Sequence, residues 1–347
     1  MRIGVLTGGG DCPGLNAAIR AVVLTAGRDG DEVIGFRDGW RGVIEDDVLP
    51  LDPERCRDVH ILGGTILGTS RTNPTAVDGG HERVLQTLSR RRVDALVAIG
   101  GEDTLGAAHR LAQLGVPVVG VPKTIDNDLS ATEVTFGFDT AVQIATEAID
   151  RLRTTAESHH RVMVCEVMGR HVGWIAAHSG IAGGAAEILV PEIPFDLDRL
   201  CDRLRERHRR GQFSSIVVVA EGALPKDGPD GSTPGSPGSA PLDQFGHVRL
   251  GGIGAWLAGQ IEDQTGYETR FTTLGHIQRG GTPTAWDRVL ATRFGVAAVG
   301  AIREGRFDSM VALQAGEIVV VSLADAVSEP KTLDLRLIDE VAAPFLG

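Results

Sequence analysis

Residues 94–128 read DALVAIGGEDTLGAAHRLAQLGVPVVGVPKTIDND, a strand, a helix and a second strand in one run. Ala95–Ile99 is apolar throughout and stops at Gly100-Gly101. Thr104–Leu114 carries helical apolar spacing, and Val116–Val121 is apolar again and stops at Pro122. A continuously apolar strand is one buried on both faces. Such strands alternating with helices make a parallel sheet covered by helices, an α/β fold. The pattern recurs on either side of this run. Ile3–Thr7 stops at Gly8-Gly9-Gly10 and leads into a helix over Leu15–Gly27; Thr140–Ala156 reads as a helix; Met163–Val167 and Ser215–Ala220 read as strands. Sheets of this kind bind ligands at the carboxyl ends of their strands, where these glycine and polar clusters fall.

At 347 residues the chain suits two domains of ordinary size, and 42% hydrophobic with 23% charged residues excludes general disorder. A net charge of −12 argues against a nucleic-acid or anionic-membrane partner, so an anionic ligand would need a local cluster of cations. Four cysteines without a CxxC (Cys12, Cys56, Cys165, Cys201) indicate neither a disulfide framework nor a zinc knuckle. The glycine cluster comes too early for a signal peptide and no apolar run is long enough for a membrane span, so a cytoplasmic protein is expected. From Pro225 to Pro241, 12 of 17 residues are Gly, Pro or Ser, which reads as a mobile loop, a surface insertion in preference to the alternative of a domain linker.

Three clusters carry chemistry. Gly8–Asn16 (GGGDCPGLN) sits between a strand and a helix, where backbone amides can hold a phosphate, although a plain tight turn reads equally well. It lacks the third glycine of GxGxxG, which counts against a nicotinamide dehydrogenase. Glu102 and Asp103 follow Gly100-Gly101; acids there suit a Mg²⁺ ion between carboxylate and phosphate, or simply a helix N-terminus. In Pro122–Asp128 (PKTIDND), an extended segment would put Thr124, Asp126 and Asp128 on one face and Lys123 elsewhere. One carboxylate can take a proton from an attacking hydroxyl, a second can hold Mg²⁺. Lysine occurs three times against 31 arginines, so Lys123 is poorly explained as background. Arg71, Arg161, Arg170, Arg270 and Arg279, with His276, could gather an anionic sugar phosphate, although singly each arginine reads more readily as a solvated surface charge, and His276 as readily as a packed side chain.

Taken together, GGGDCPGLNAAIR, GGTILGTSR, GGEDTLG, PKTIDNDL, EVMGRHVGW, PEIPF and TTLGHIQRGGTPTAWDR resemble the 6-phosphofructokinases, in order, over roughly residues 1–295. The resemblance implies two Rossmann-like parallel-sheet domains facing across a cleft. These would be a donor-binding domain, 1–137 plus about 278–328, and a fructose 6-phosphate-binding domain, 138–277 plus about 329–347, with the insertion at 225–241. It further implies Asp126 as the base on the sugar 1-hydroxyl, assisted by Thr124, Lys123 and Arg170. Gly10, Arg71, Asp103 and Lys123 would meet the donor, and Glu102 and Asp128 would meet Mg²⁺. Thr124, Asp126, Met168, Gly169, Arg170, Glu221, His276 and Arg279 would meet the sugar phosphate, with Arg161 and Arg270 reaching in from a neighbouring subunit of a homo-oligomer.

ATP-dependent members resemble GGDGS followed by PGTIDND, with glycine where this chain has Asp103 and Lys123. Acid and lysine at those places resemble the pyrophosphate-dependent members, so pyrophosphate is the expected donor and ATP the alternative. Where the family's effector site carries cations, this chain has Leu24, Pro53 and Gln212, with Arg20, Arg153 and Arg210 kept; weak nucleotide regulation is expected.

Overall fold

A computed structural model describes residues 1–226 and 251–346. The chain divides into two compact units, Met1–Thr140 with Arg279–Lys331, and Ala141–Gln278 with Thr332–Gly347. Eleven strands are present among the described residues: β1 (Arg2–Thr7), β2 (Glu32–Phe36), β3 (Val48–Leu51), β4 (Ala95–Gly100), β5 (Val118–Pro122), β6 (Val162–Val167), β7 (Glu187–Leu189), β8 (Ser215–Ala220), β9 (Thr269–Thr273), β10 (Ser309–Gln314) and β11 (Glu317–Ser322).

The first unit holds a seven-stranded sheet in the order β11-β10-β5-β4-β1-β2-β3. Its five inner strands run parallel, and the edge strands β3 and β11 run antiparallel to β2 and β10. These antiparallel edges are not visible in the alternation of strand and helix. Leu6, Phe36, Leu96, Leu105, Leu111 and Leu323 form much of the core on one side of this sheet. The register is what matters for function. Thr7 lies across from Ile99, and Gly100 lies across from Pro122. The three clusters GGGDCPG, GGED and PKTIDND therefore leave neighbouring strands at the same edge.

The second unit is built on a four-stranded parallel sheet, β7-β8-β6-β9, cored by Val164, Val217, Val219, Leu257 and Ile261. The chain re-enters the first unit at Arg279, and the helix Ala285–Arg303 that follows packs on Leu15–Arg28.

Several expected elements lie where the sequence put them, with shifted ends. The helix expected at Thr104–Leu114 runs Glu102–Ala112, so Glu102 and Asp103 form its first turn. The helix expected at Thr140–Ala156 runs Phe138–His159, and a helix at Ile253–Thr265 follows the insertion. Most of the insertion itself, from residue 227 on, lies outside the described residues. All four cysteines are buried and free. Among the described residues no helix is long and apolar enough to cross a membrane.

Candidate active site

In the first unit the site begins with close packing between strand ends. A Cβ on Gly8 would lie 2.5 Å from Thr104 Oγ1, and one on Gly100 would lie 2.3 Å from Thr104 Cβ. Only glycine at both strand ends lets the first turn of Glu102–Ala112 sit this low, with the buried Thr104 between them. Glu102 and Asp103 stand exposed on that turn, at the positive end of the helix dipole.

Lys123 is buried, 3% exposed, and its ammonium donates to the Gly10 carbonyl. Burial pushes its pKa below the ordinary lysine value, and the nearby Arg279 pushes the same way. The Arg279 guanidinium lies against the same glycine, with Nη1 2.6 Å from where a Gly10 Cβ would be. Two cations therefore converge on one loop, which favours an anion there. Gly9 N–H donates to Ser70 O at 3.0 Å and Thr69 Oγ1 donates to Gly9 O at 2.6 Å. These bonds hold the segment carrying the exposed Arg71 beside the glycine cluster.

The PKTIDND segment is not extended throughout. Asn127 has φ +53°, so the chain turns there, and strand alternation is not what relates Asp126 to Asp128. Thr124 does that work instead. Its hydroxyl accepts from Asp126 N at 3.1 Å and is hydrogen-bonded to the Asp128 carboxylate. Asp128 is partly accessible yet hemmed in by protein. Burial raises its pKa against the opposing pull of the Thr124 bond, Lys123 and Lys331.

Among the described residues, no three His, Cys, Asp or Glu side chains group so as to hold a metal ion. Mg²⁺ on a phosphate is commonly held by one or two carboxylates, substrate oxygens and water. Asp128, whose charged form burial disfavours until a cation joins it, and Glu102 are the fitting carboxylates.

The remaining seven expected residues belong to the second unit. Met168-Gly169-Arg170 follows β6, with Gly169 at φ +144° and Met168 N donating to the buried Gln278 Oε1 at 3.4 Å. Glu221 follows the neighbouring β8, and its N–H donates to Val167 O at 2.9 Å. His276 is exposed on the short helical turn Gly275–Arg279. Arg161 and Arg270 are brought together by an acid the sequence reading passed over. Glu268 accepts from both, at 2.7 Å and 2.6 Å, and the Arg161 bond holds its carboxyl below the ordinary range.

A family model described as Phosphofructokinase matches residues 2–302. The chain belongs to the phosphofructokinase family. It is 57% identical, over the whole length of both chains, to the pyrophosphate–fructose 6-phosphate 1-phosphotransferase of Amycolatopsis methanolica. It is also 56% identical to ATP-dependent 6-phosphofructokinase 3 of Streptomyces coelicolor, over 96% of each chain. A crystal structure of Pichia pastoris phosphofructokinase in the T-state superposes on 99% of this chain with a TM-score of 0.82 at 30% identity, and this chain spans 36% of that one. Overall identity thus barely separates the two donors.

Two further features bear on this phosphofructokinase. A surface cavity of about 490 Å³ in the first unit is lined by Arg20, Leu24, Asp52, Pro53, Glu54 and Arg57. Its two acids offset its two arginines, an unfavourable balance for a polyanionic effector. Gly222 was also passed over by the sequence reading. Its N–H donates to Gly169 O at 3.1 Å, and a Cβ there would lie 2.0 Å from Arg170 O. Gly222→Ala must therefore move the Met168-Gly169-Arg170 turn. It is expected to raise KM for the sugar phosphate at least about tenfold, as displaced site groups typically do, with the donor KM changed little. Steady-state kinetics with each substrate varied in turn checks this, and an unchanged sugar KM would detach the turn from the sugar.

Proposed function

We propose that this chain is a pyrophosphate-dependent 6-phosphofructokinase, acting in the cytoplasm. It transfers a phosphoryl group from pyrophosphate to the 1-hydroxyl of fructose 6-phosphate and gives fructose 1,6-bisphosphate and phosphate. The observation that carries the donor choice is the pair formed by the buried Lys123 and the first-turn Asp103. An ammonium fixed on the Gly10 loop can follow the charge gained by a departing phosphate. A carboxylate on the adjoining helix turn stands against a third phosphate. Two like charges about 4 Å apart repel by ~4 kcal/mol at an effective dielectric of 20.

In this reading the first unit holds the donor through Gly10, Arg71, Asp103 and Lys123. Asp128 and Glu102 would hold Mg²⁺ together with donor oxygens, and the ion would supply positive charge beside the transferring phosphate. Asp126 takes the proton of the 1-hydroxyl as that oxygen bonds to phosphorus and the anhydride bond of pyrophosphate breaks. Thr124, tied to Asp126 and Asp128, orients the pair. Met168, Gly169, Arg170, Glu221, His276 and Arg279 recognise the sugar phosphate, with Arg170 balancing developing charge. The anhydride consumed has no nucleotide leaving group, and the reaction runs readily in both directions.

Arg161 and Arg270 act on the sugar phosphate of a neighbouring copy in a homo-oligomer. Support comes from β9, an edge strand among the described residues, whose Arg270 and Phe271 are both exposed, Phe271 at 50%. A sheet edge with an exposed aromatic suits a covering partner.

An aldolase-coupled assay with either donor tests the reading. Wild type is expected to show a much higher kcat/KM with pyrophosphate than with ATP, and Asp103→Gly to shift that ratio towards ATP. ATP preferred by the wild type would refute the donor, and no turnover with either would refute the enzyme. Asp126→Asn is expected to lower kcat by ~10²–10⁴-fold. Mixing it with inactive Arg161→Ala chains should restore part of the activity; no restoration in exchanged oligomers would refute the shared site.

A further inference from the structure

Lys331 is one of only three lysines in the chain, and it ends the first unit's sequence. It belongs to none of the motifs from which the function was read. Its backbone N–H donates to Asp128 O at 2.8 Å. Its ammonium has three N–H donors, and three acceptors converge on it: Asn127 Oδ1 at 2.9 Å, Thr132 O at 3.0 Å and Glu133 O at 2.8 Å.

The first of these is the telling contact. Asn127 is 2% exposed and occupies the left-handed region, which asparagine tolerates better than most side chains. Its Oδ1 also accepts from Thr135 N at 3.1 Å, and Thr135 Oγ1 donates to Thr124 O at 2.7 Å. The turn between Asp126 and Asp128 is thus gripped on both sides. Thr135 holds its start, Lys331 holds its end, and the Asn127 amide joins the two. Charge-assisted bonds to fixed acceptors are the strong and directional kind.

We infer that Lys331 is a positioning residue for phosphoryl transfer, holding the Asn127 turn so that Asp126 and Asp128 keep their working geometry. The inference rests on the reading of Asp126 as the base. Loss of the clamp should misplace reacting groups rather than remove a binding contact, so the effect belongs on kcat.

The test compares Lys331→Met, Lys331→Arg, Asn127→Ala and the Lys331→Met/Asn127→Ala double variant with wild type. The assay is the pyrophosphate assay, with thermal unfolding run alongside. Lys331→Met is expected to lower kcat between about ten- and a hundredfold, with both KM values within about threefold, and Lys331→Arg to recover part of the loss. Because both side chains act through one contact, the double variant should be no slower than the slower single. An unchanged kcat in folded Lys331→Met would overturn the inference, as would losses that multiply in the double variant. Should Lys331→Met fail to fold, Asn127→Ala reads the same contact from its other side, and normal kcat there overturns the inference equally. An inactive wild type would instead remove the underlying reading of Asp126.

Discussion

The buried ammonium of Lys123 is the constraint around which the first unit's candidate site is arranged. A lysine 3% exposed, with a carbonyl as its partner and an arginine nearby, is held at a cost. Burial works against its charge, and Arg279, lying on the same glycine, acts the same way, while Asp11 and Asp128 offset part of it. An anion at the Gly10 loop relieves both. The parallel register makes this possible, because Gly100 and Pro122 are partners and Thr7 pairs with Ile99. Three chemically different loops therefore emerge from adjacent strands without long insertions to bring them together.

Around that charge the chain is tied down wherever it leaves the first unit. At the first crossing, Thr140 N and Oγ1 donate to the fully buried Asp287 at 2.8 and 2.6 Å. At the second, Arg279 lies against Gly10. At the third, Lys331 grips the Asn127 turn. Burial holds the Asp287 carboxyl up at about 6 despite the bonds from Thr140, a sign of how little water reaches the start of that connection. Hydrogen bonds thus fix the chain at Thr140 and at Lys331, and Arg279 packs on the Gly10 loop.

Much of this was legible in the sequence. Continuously apolar runs ending in glycine announced parallel strands with ligand groups at their ends, and β4, β8 and the helix after Gly101 are found there. Spacing picked out the three clusters and the scarce Lys123, but the roles of the individual residues came from the resemblance to the 6-phosphofructokinases. What stayed hidden depends on contacts distant in sequence. Glu268 gains meaning only when β9 runs beside β6 and brings Arg161 to it. Gly222 matters because of the carbonyl of Arg170, and Thr104 because two strand ends close on it. The turn at Asn127 defeated strand alternation because a left-handed residue inside an apparently extended run leaves little trace in composition. Lys331 had one faint signal, the scarcity of lysine itself.

The central claim is that Lys123 exists for the donor anion. Calorimetric titration of wild type and Lys123→Met with pyrophosphate in the presence of Mg²⁺, and separately with fructose 6-phosphate, tests it most directly. Methionine keeps most of the buried volume and removes the charge. Pyrophosphate affinity should fall by at least about tenfold, the low end for a lost charge-assisted bond, while fructose 6-phosphate affinity holds. Equal pyrophosphate affinity in the two proteins, or a loss confined to the sugar, would contradict the account.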